Sequence, residues 1–191
     1  MRKKLFFLFN IFFICTFSIN ASADIKIKII DKLIKTKTLS FDFKQKISDK
    51  EEIGKCFIKY PLLMRCNYQN IKQKIIISNG KTLAIIKKKY KKIYYYPIKM
   101  TPFFFILNKD KIINSINQNP HIKTEAGLIT FEFIDKKENK LKIFFDKDSL
   151  ELKGWKTKDS YSNDVSFTIN NLKTNNQIVD SFFKIPNEDD L

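Results

Sequence analysis

Leu39, Phe41, Phe43, Gln45 and Ile47 alternate with Ser40, Asp42, Lys44 and Lys46. Successive side chains of a strand point to opposite faces, so this run predicts a strand with one face buried and the other in water. Comparable segments recur at residues 53–60, 63–68, 74–78, 81–86 and 90–96, and again at 128–134, 140–145, 150–157 and 165–170. Connections within the first group are short, and Asn79-Gly80 is its strongest hairpin signal. Sequential strands joined this closely pair antiparallel, which predicts an unbroken meander through the first half. About ten strands sharing one core imply a large curved sheet whose inner face needs cover.

Two helical stretches can supply that cover. In residues 25–36, Ile27, Ile30, Leu33 and Ile34 recur at helical spacing and predict an amphipathic helix. Pro97 and Pro102 then interrupt the strands, with Thr101 as N-cap and Pro102 as first residue of a helix reaching residue 117. Its opening, Phe103-Phe104-Phe105-Ile106-Leu107, is apolar all round, although covering a core requires only one apolar stripe. Two readings fit: a helix wedged into the core, or a lid with one side on the sheet and another on a cavity. Residues 181–186 predict a short edge segment, and 187–191 an acidic tail.

The first 23 residues have the three parts of a cleavable secretory signal. Arg2, Lys3 and Lys4 precede an apolar run over residues 5–19, and Ala21-Ser22-Ala23 offers small residues for cleavage. The run is shorter than the ~20 residues needed to span a bilayer. Cys15 follows Phe13 and Ile14, not small residues, so no lipoprotein anchor is expected. The expectation is a secreted, soluble domain over residues 24–191.

Cys56 and Cys66 lie five residues either side of Pro61. A hairpin centred there would set them opposite each other, about 4.5–5.5 Å apart at Cα, a span that a disulfide tolerates. A register slip of one residue would send the sulfurs to opposite faces.

Net charge is +16, or +13 once Arg2, Lys3 and Lys4 are removed. Arg2 and Arg65 are the only arginines, and phosphate recognition favours the arginine fork, so no nucleic-acid partner is expected. The lysine excess reads as a bias of composition. The cluster at residues 87–92 reads as a solvated turn, with docking onto an acidic partner or anionic headgroups as the alternative.

Catalytic signals are sparse. His121 is the only histidine, four glycines leave no phosphate loop, and CxxC and HExxH spacings are missing. Glu132 and Asp135 read as a solvated strand face or turn. No enzyme, metal or cofactor is expected; a serine assisted by His121 is the enzymatic alternative.

Four features, in order, resemble the LolA family of periplasmic lipoprotein carriers. Leu39-Ser40-Phe41-Asp42-Phe43-Lys44-Gln45 is similar to the family's first strand. Gly54, Lys59-Tyr60-Pro61 and Met64-Arg65-Cys66-Asn67-Tyr68 are similar to its glycine, turn and following strand. Ser78-Asn79-Gly80-Lys81 resembles its hairpin, and Thr101-Pro102 with the run to Leu107 resembles its lid helix. Residues 152–155 and 165–172, then Phe182-Phe183, resemble its last strands.

The resemblance covers residues 25–186. It implies a mainly β chain with some α: an incomplete, unclosed antiparallel β-barrel of about ten to eleven strands, with a helical lid over an apolar cavity. It further implies a monomeric carrier without cofactors. Such a carrier takes the acyl chains of lipoproteins from an inner-membrane ABC-type lipoprotein release complex and yields them to an outer-membrane lipoprotein receptor. The alternative within the fold is a lipid-binding or envelope-stress-sensing protein that does not shuttle lipoproteins. On this reading Phe103, Phe104, Phe105, Ile106 and Leu107 are lid contacts, and Met64, Phe41, Phe43 and Trp155 face the cavity. The family's lid-latching arginine before the turn proline is replaced here by Tyr60, with Arg65 as the nearby substitute.

Overall fold

A computed structural model describes residues 20–118, 122–134, 140–159 and 162–191. The signal segment up to residue 19, His121 and Asp135 lie outside the described residues. Strands run β1 (Thr38–Ile47), β2 (Lys50–Lys59), β3 (Leu63–Tyr68), β4 (Lys74–Asn79), β5 (Thr82–Lys87) and β6 (Lys92–Pro97). They resume as β7 (Lys123–Glu125), β8 (Leu128–Ile134), β9 (Lys140–Asp146), β10 (Leu152–Lys158) and β11 (Asp164–Thr174). Helices are α1 (Asn20–Lys35), α2 (Phe103–Ile106) and α3 (Lys109–Gln118).

All eleven strands join one antiparallel sheet in the order β6-β5-β4-β3-β2-β1-β11-β10-β9-β8-β7. Each pairing joins neighbours in sequence except β1 with β11, which brings the two meanders together. The barrel stays open between β6 and β7, and α2 and α3 form the connection between those free edges. One face of the sheet carries the main core, shared with α1, α2 and α3.

Hairpin registers follow the local sequence closely. Gly54, Cys56 and Ile58 oppose Tyr68, Cys66 and Met64. Cys56 and Cys66 are joined as a disulfide, with Cα atoms 4.1 Å apart. The β4–β5 turn falls one residue later than Asn79-Gly80: Ser78 opposes Leu83, so Gly80-Lys81 is the loop. Asn79 stays in β4, and its Oδ1 accepts the N–H groups of Lys81 (3.1 Å) and Thr82 (2.9 Å). Gly80 takes φ +93°, which glycine adopts without steric cost.

Several expectations change where distant parts of the chain meet. α1 buries Ile29 and Leu33, whereas Ile27 and Ile34 are 59 % and 56 % exposed. Ile30 and Leu33 pack as expected, joined by Ile25 and Ile29, and Thr36 extends the stripe. The single helix expected over residues 102–117 is two. The first ends at Ile106 with Leu107 as its C-cap, and Asn108 caps the second, its Oδ1 accepting the N–H of Lys111 at 3.2 Å. Thr101 is not the cap, because its hydroxyl donates to the Ile98 carbonyl. The expected edge segment at 181–186 is no strand but a 3-10 turn, Asp180–Phe183, lying on the outer face. There Phe182 meets Phe57 edge-on at 5.0 Å and Phe183 is fully buried. Beyond it Ile185 and Leu191 cover a second small core of Ile77, Ala84, Ile86 and Ile93.

Candidate functional site

The inner face of the sheet carries a row of aromatic rings. Trp155 on β10 stacks on Phe167 of β11 at 4.1 Å, and Phe167 stacks on Phe43 of β1 at 4.7 Å. The next position, on β2, is Gly54, and beyond it Tyr68 of β3 meets Phe43 edge-on at 4.8 Å. A Cβ on Gly54 would lie 2.7 Å from the Phe43 ring and 2.2 Å from the Asn67 carbonyl oxygen. Glycine here is what lets the two rings touch across a strand. Phe41 joins the row edge-on to Phe167. On β8 and β9, Phe131, Phe133 and Phe145 continue the wall.

Polar groups close the wall beside Tyr68. Its hydroxyl donates to Gln45 Oε1 at 2.5 Å, and Lys74 Nζ lies 3.7 Å above its ring. Lys74 also pairs with Glu52, which accepts from Asn70 as well. Burial raises the Tyr68 pKa, and the Glu52 charge adds to the shift. The Lys74 ammonium is pushed below its ordinary value, because desolvation outweighs the Glu52 carboxylate.

The lid fits over this wall from the Phe-rich segment. Ile106 and Leu107 are buried, and Phe103, Phe104 and Phe105 pack half-exposed against the core. Phe105 meets Phe133 at 5.3 Å, and Lys111 lies 5.4 Å above the Phe104 ring. α3 adds Ile112 and Ile116, one turn apart on its buried stripe. Phe41, Phe43, Met64 and Trp155 belong to the same cluster, so all nine residues assigned to wall and lid converge. Tyr68, Phe131, Phe133, Phe145 and Phe167 were not among them. Strict alternation through Ile129, Phe131 and Phe133 was the signal for part of that set.

The lid is fastened by groups other than Tyr60 and Arg65. Leu62, just past the Tyr60–Pro61 turn, donates its N–H to the Leu107 carbonyl at 3.0 Å. Lys109, the first residue of α3, donates to the carbonyls of Ile34 and Thr36, 3.0 Å each. These carbonyls end α1, where the helix dipole is negative and attracts a cation. Tyr60 contributes only its ring, 5.7 Å beneath the Lys109 ammonium, and burial raises its phenol pKa. Arg65 cannot reach the lid. It alternates with Met64 and Cys66, so it faces outward, bonds the Phe182 carbonyl at 3.3 Å and covers that ring.

The side chains of Ile106, Leu107, Ile112 and Ile116 pack into the core on the inner face of the sheet. The apolar cleft bounded by Ile29, Leu33, Leu39, Tyr60, Phe145 and Leu172 measures about 20 Å³, room for one water. A second, wide-mouthed hollow of about 440 Å³ is bordered by Lys37, Lys59, Asn175 and Asn176 together with Ile178 and Val179. Among the described residues no group of three or more His, Cys, Asp or Glu could hold a metal ion.

Solved structures similar to this chain include the following. An uncharacterized conserved protein from Thermus thermophilus superposes with a TM-score of 0.54 at 9 % identity, over 86 % of this chain and 94 % of that one. A LolA superfamily protein from Nitrosomonas europaea gives 0.45 at 6 %, over 84 % and 97 %. MucB in the Pseudomonas aeruginosa MucA/MucB complex gives 0.48 at 8 %, over 87 % and 62 %. No curated protein matches in sequence. Residues 34–186, from the end of α1 to the outer-face segment, match the family described as outer membrane lipoprotein carrier protein LolA, and the chain belongs to that family.

Proposed function

We propose that this chain is a periplasmic carrier that receives the acyl chains of lipoproteins beneath its lid and passes them on. The observation that carries the reading is the lid itself. A wall of aromatic and aliphatic side chains is covered by a four-residue helix whose three phenylalanines are only half buried. The chain just after that helix is held by the Leu62 and Lys109 hydrogen bonds.

Hydrocarbon exposed to water costs about 0.8 kcal/mol per CH₂, so a multiply acylated cargo needs an apolar host. In the closed form Phe103–Ile106 and Leu107 provide that apolar surface from within. A lipid tail entering beneath them exchanges one apolar contact for another. Net affinity is then much smaller than the gross burial, and a better acceptor can draw the cargo away.

The rest of the reading follows the family. The signal over residues 1–23 exports the chain, and residues 24–191 act as a single, monomeric carrier domain. An inner-membrane ABC-type lipoprotein release complex supplies the cargo, and an outer-membrane receptor accepts it. Binding and release need no bond-breaking group and no cofactor.

A photo-crosslinking amino acid at Phe104, and separately at Met64, tests this in the native host. Lipoprotein adducts at both positions, with lipoproteins stranded at the inner membrane on depletion, are the expected result. Adducts with free glycerolipid or an unlipidated protein, with sorting intact, would replace carriage by lipid binding or stress sensing.

A further inference from the structure

The +13 that residues 24–191 retain is confined to one part of the chain. Between Glu52 and Asp110 there is no Asp or Glu, but there are 13 Lys and Arg. Residues 24–52 and 110–191 taken together are neutral. A lysine-rich composition would add lysine everywhere. It would not also strip the carboxylates from a stretch that runs through β3, β4, β5, β6 and α2.

This charge peaks at a free border of the sheet. Residues 87–100 bring Lys87, Lys88, Lys89, Lys91, Lys92 and Lys99 together with four tyrosines and Met100. Tyr90, Tyr94, Tyr95 and Tyr96 are 43–54 % exposed, and Met100 75 %. Among the described residues, none of Lys88, Lys89, Lys91, Lys92 and Lys99 has a carboxylate within 4.0 Å. Ile93 belongs to the outer core, so by alternation Tyr94 and Tyr96 turn inward, opposite Ile85 and Leu83. Tyrosine places a ring at the headgroup level of a bilayer, and lysine lays its stem on apolar surface with the ammonium among phosphates.

We propose that this border docks the protein onto an anionic phospholipid surface, with Tyr94, Tyr96 and Met100 at the interface and the lysines on the headgroups. Pairing with a peptide strand, the other use of a free edge, is poorly supported. The Ile93 N–H is already taken by Glu188 Oε1 at 2.9 Å, and Pro97 has none to offer. The acidic turn Glu188–Asp190 packs behind β6 on the outer face, so the inner side of the border is the one that meets lipid. Docking is peripheral, since no described helix is long and apolar enough to cross a membrane. It does not rest on the carrier reading, because it concerns the rim and not the space beneath the lid.

Vesicle flotation with residues 24–191 tests it. Vesicles of phosphatidylcholine with about one third phosphatidylglycerol should bind at least about 100-fold more tightly than phosphatidylcholine alone, and about 0.5 M NaCl should abolish the difference. Each lysine near such a surface contributes roughly fivefold, so K89Q/K91Q/K92Q should lose on the order of 100-fold. Y94S/Y96S should lose about tenfold and keep the salt dependence. The triple variant K142Q/K153Q/K156Q, on β9 and β10, should bind as the parent does. Equal binding to both vesicle types would overturn the proposal, as would equal losses in the two triple variants. So would binding to polyglutamate with no binding to anionic vesicles, which would make the partner an acidic protein.

Discussion

Strands β2–β6 and strands β7–β11 flank β1 as two arms of one sheet, and they line the same inner face with different material. The β7–β11 arm presents Phe131, Phe133, Phe145, Trp155 and Phe167 inward. Its other face is in water and carries pairs such as Lys142–Glu132 and Lys153–Asp146. The β2–β6 arm presents Ile58, Met64, Cys66, Ile76 and Leu83 inward. It is stapled by a disulfide and covered on part of its outer face by the C-terminal segment. Its residues beyond Glu52 include no carboxylate of their own, although Lys59 pairs with Asp180 and Lys74 with Glu52. The difference separates two jobs. One arm is an aromatic wall with a solvated back; the other is a basic rim whose lining is aliphatic between Tyr68 beside β1 and Tyr94 and Tyr96 at the free edge, with a second small core.

The sharpest test of the wall is Phe131→Ala. The ring is fully buried, so the substitution should cost about 3–5 kcal/mol in urea unfolding. A loss near 1 kcal/mol would mean that this arm is not tightly packed. On the other arm, replacing Cys56 and Cys66 by Ala should cost about 2–3 kcal/mol, as expected for a short closed loop. Hydrogen exchange should then rise in β2–β6 before β8–β11; a uniform rise would erase the distinction between the arms. Gly54→Ala, where the arms meet through Phe43 and Tyr68, should cost about 1–3 kcal/mol through overpacking.

Lys109→Met removes the bonds to the Ile34 and Thr36 carbonyls and should cost only about 1 kcal/mol. It should nevertheless raise uptake of an apolar dye beneath the lid, whereas Arg65→Met should not. Equal uptake by both variants would remove Lys109 from its fastening role. The smallest effect is alkaline. Tyr60 and Tyr68, both on the basic arm, have pKa values raised above the usual 10.0. Above that pH the unfolded chain loses protons that the folded one keeps, so stability should fall as pH climbs past 10. Tyr68→Phe should flatten this fall; an unchanged slope would assign it elsewhere.

The two arms also differed in how openly the chain declares them. On β8 and β9 burial alternates cleanly, because one face is solvated, and Phe131, Phe133 and Phe145 were readable as inward positions. On β4 and β5 the runs Ile75-Ile76-Ile77 and Ile85-Ile86 hide the alternation, because the outer face is covered too. The β2–β3 register was legible because equal spacing about Pro61 sets it locally. The lid was legible as an apolar run, but its break at Asn108 was not, since a single capping side chain decides it.

The amino-acid order by itself determined the succession of strands, the hairpins that join them, the pairing of Cys56 with Cys66 across one of them, and family membership. Each depends on residues a few positions apart or on the pattern as a whole. Tertiary structure alone decided which stripe of α1 packs, that Lys109 fastens the lid while Arg65 faces away, and that the C-terminal segment lies across the outer face. Those outcomes join residues roughly 70 to 140 positions apart in the chain. Nothing local selects among the alternatives until the sheet has brought them together.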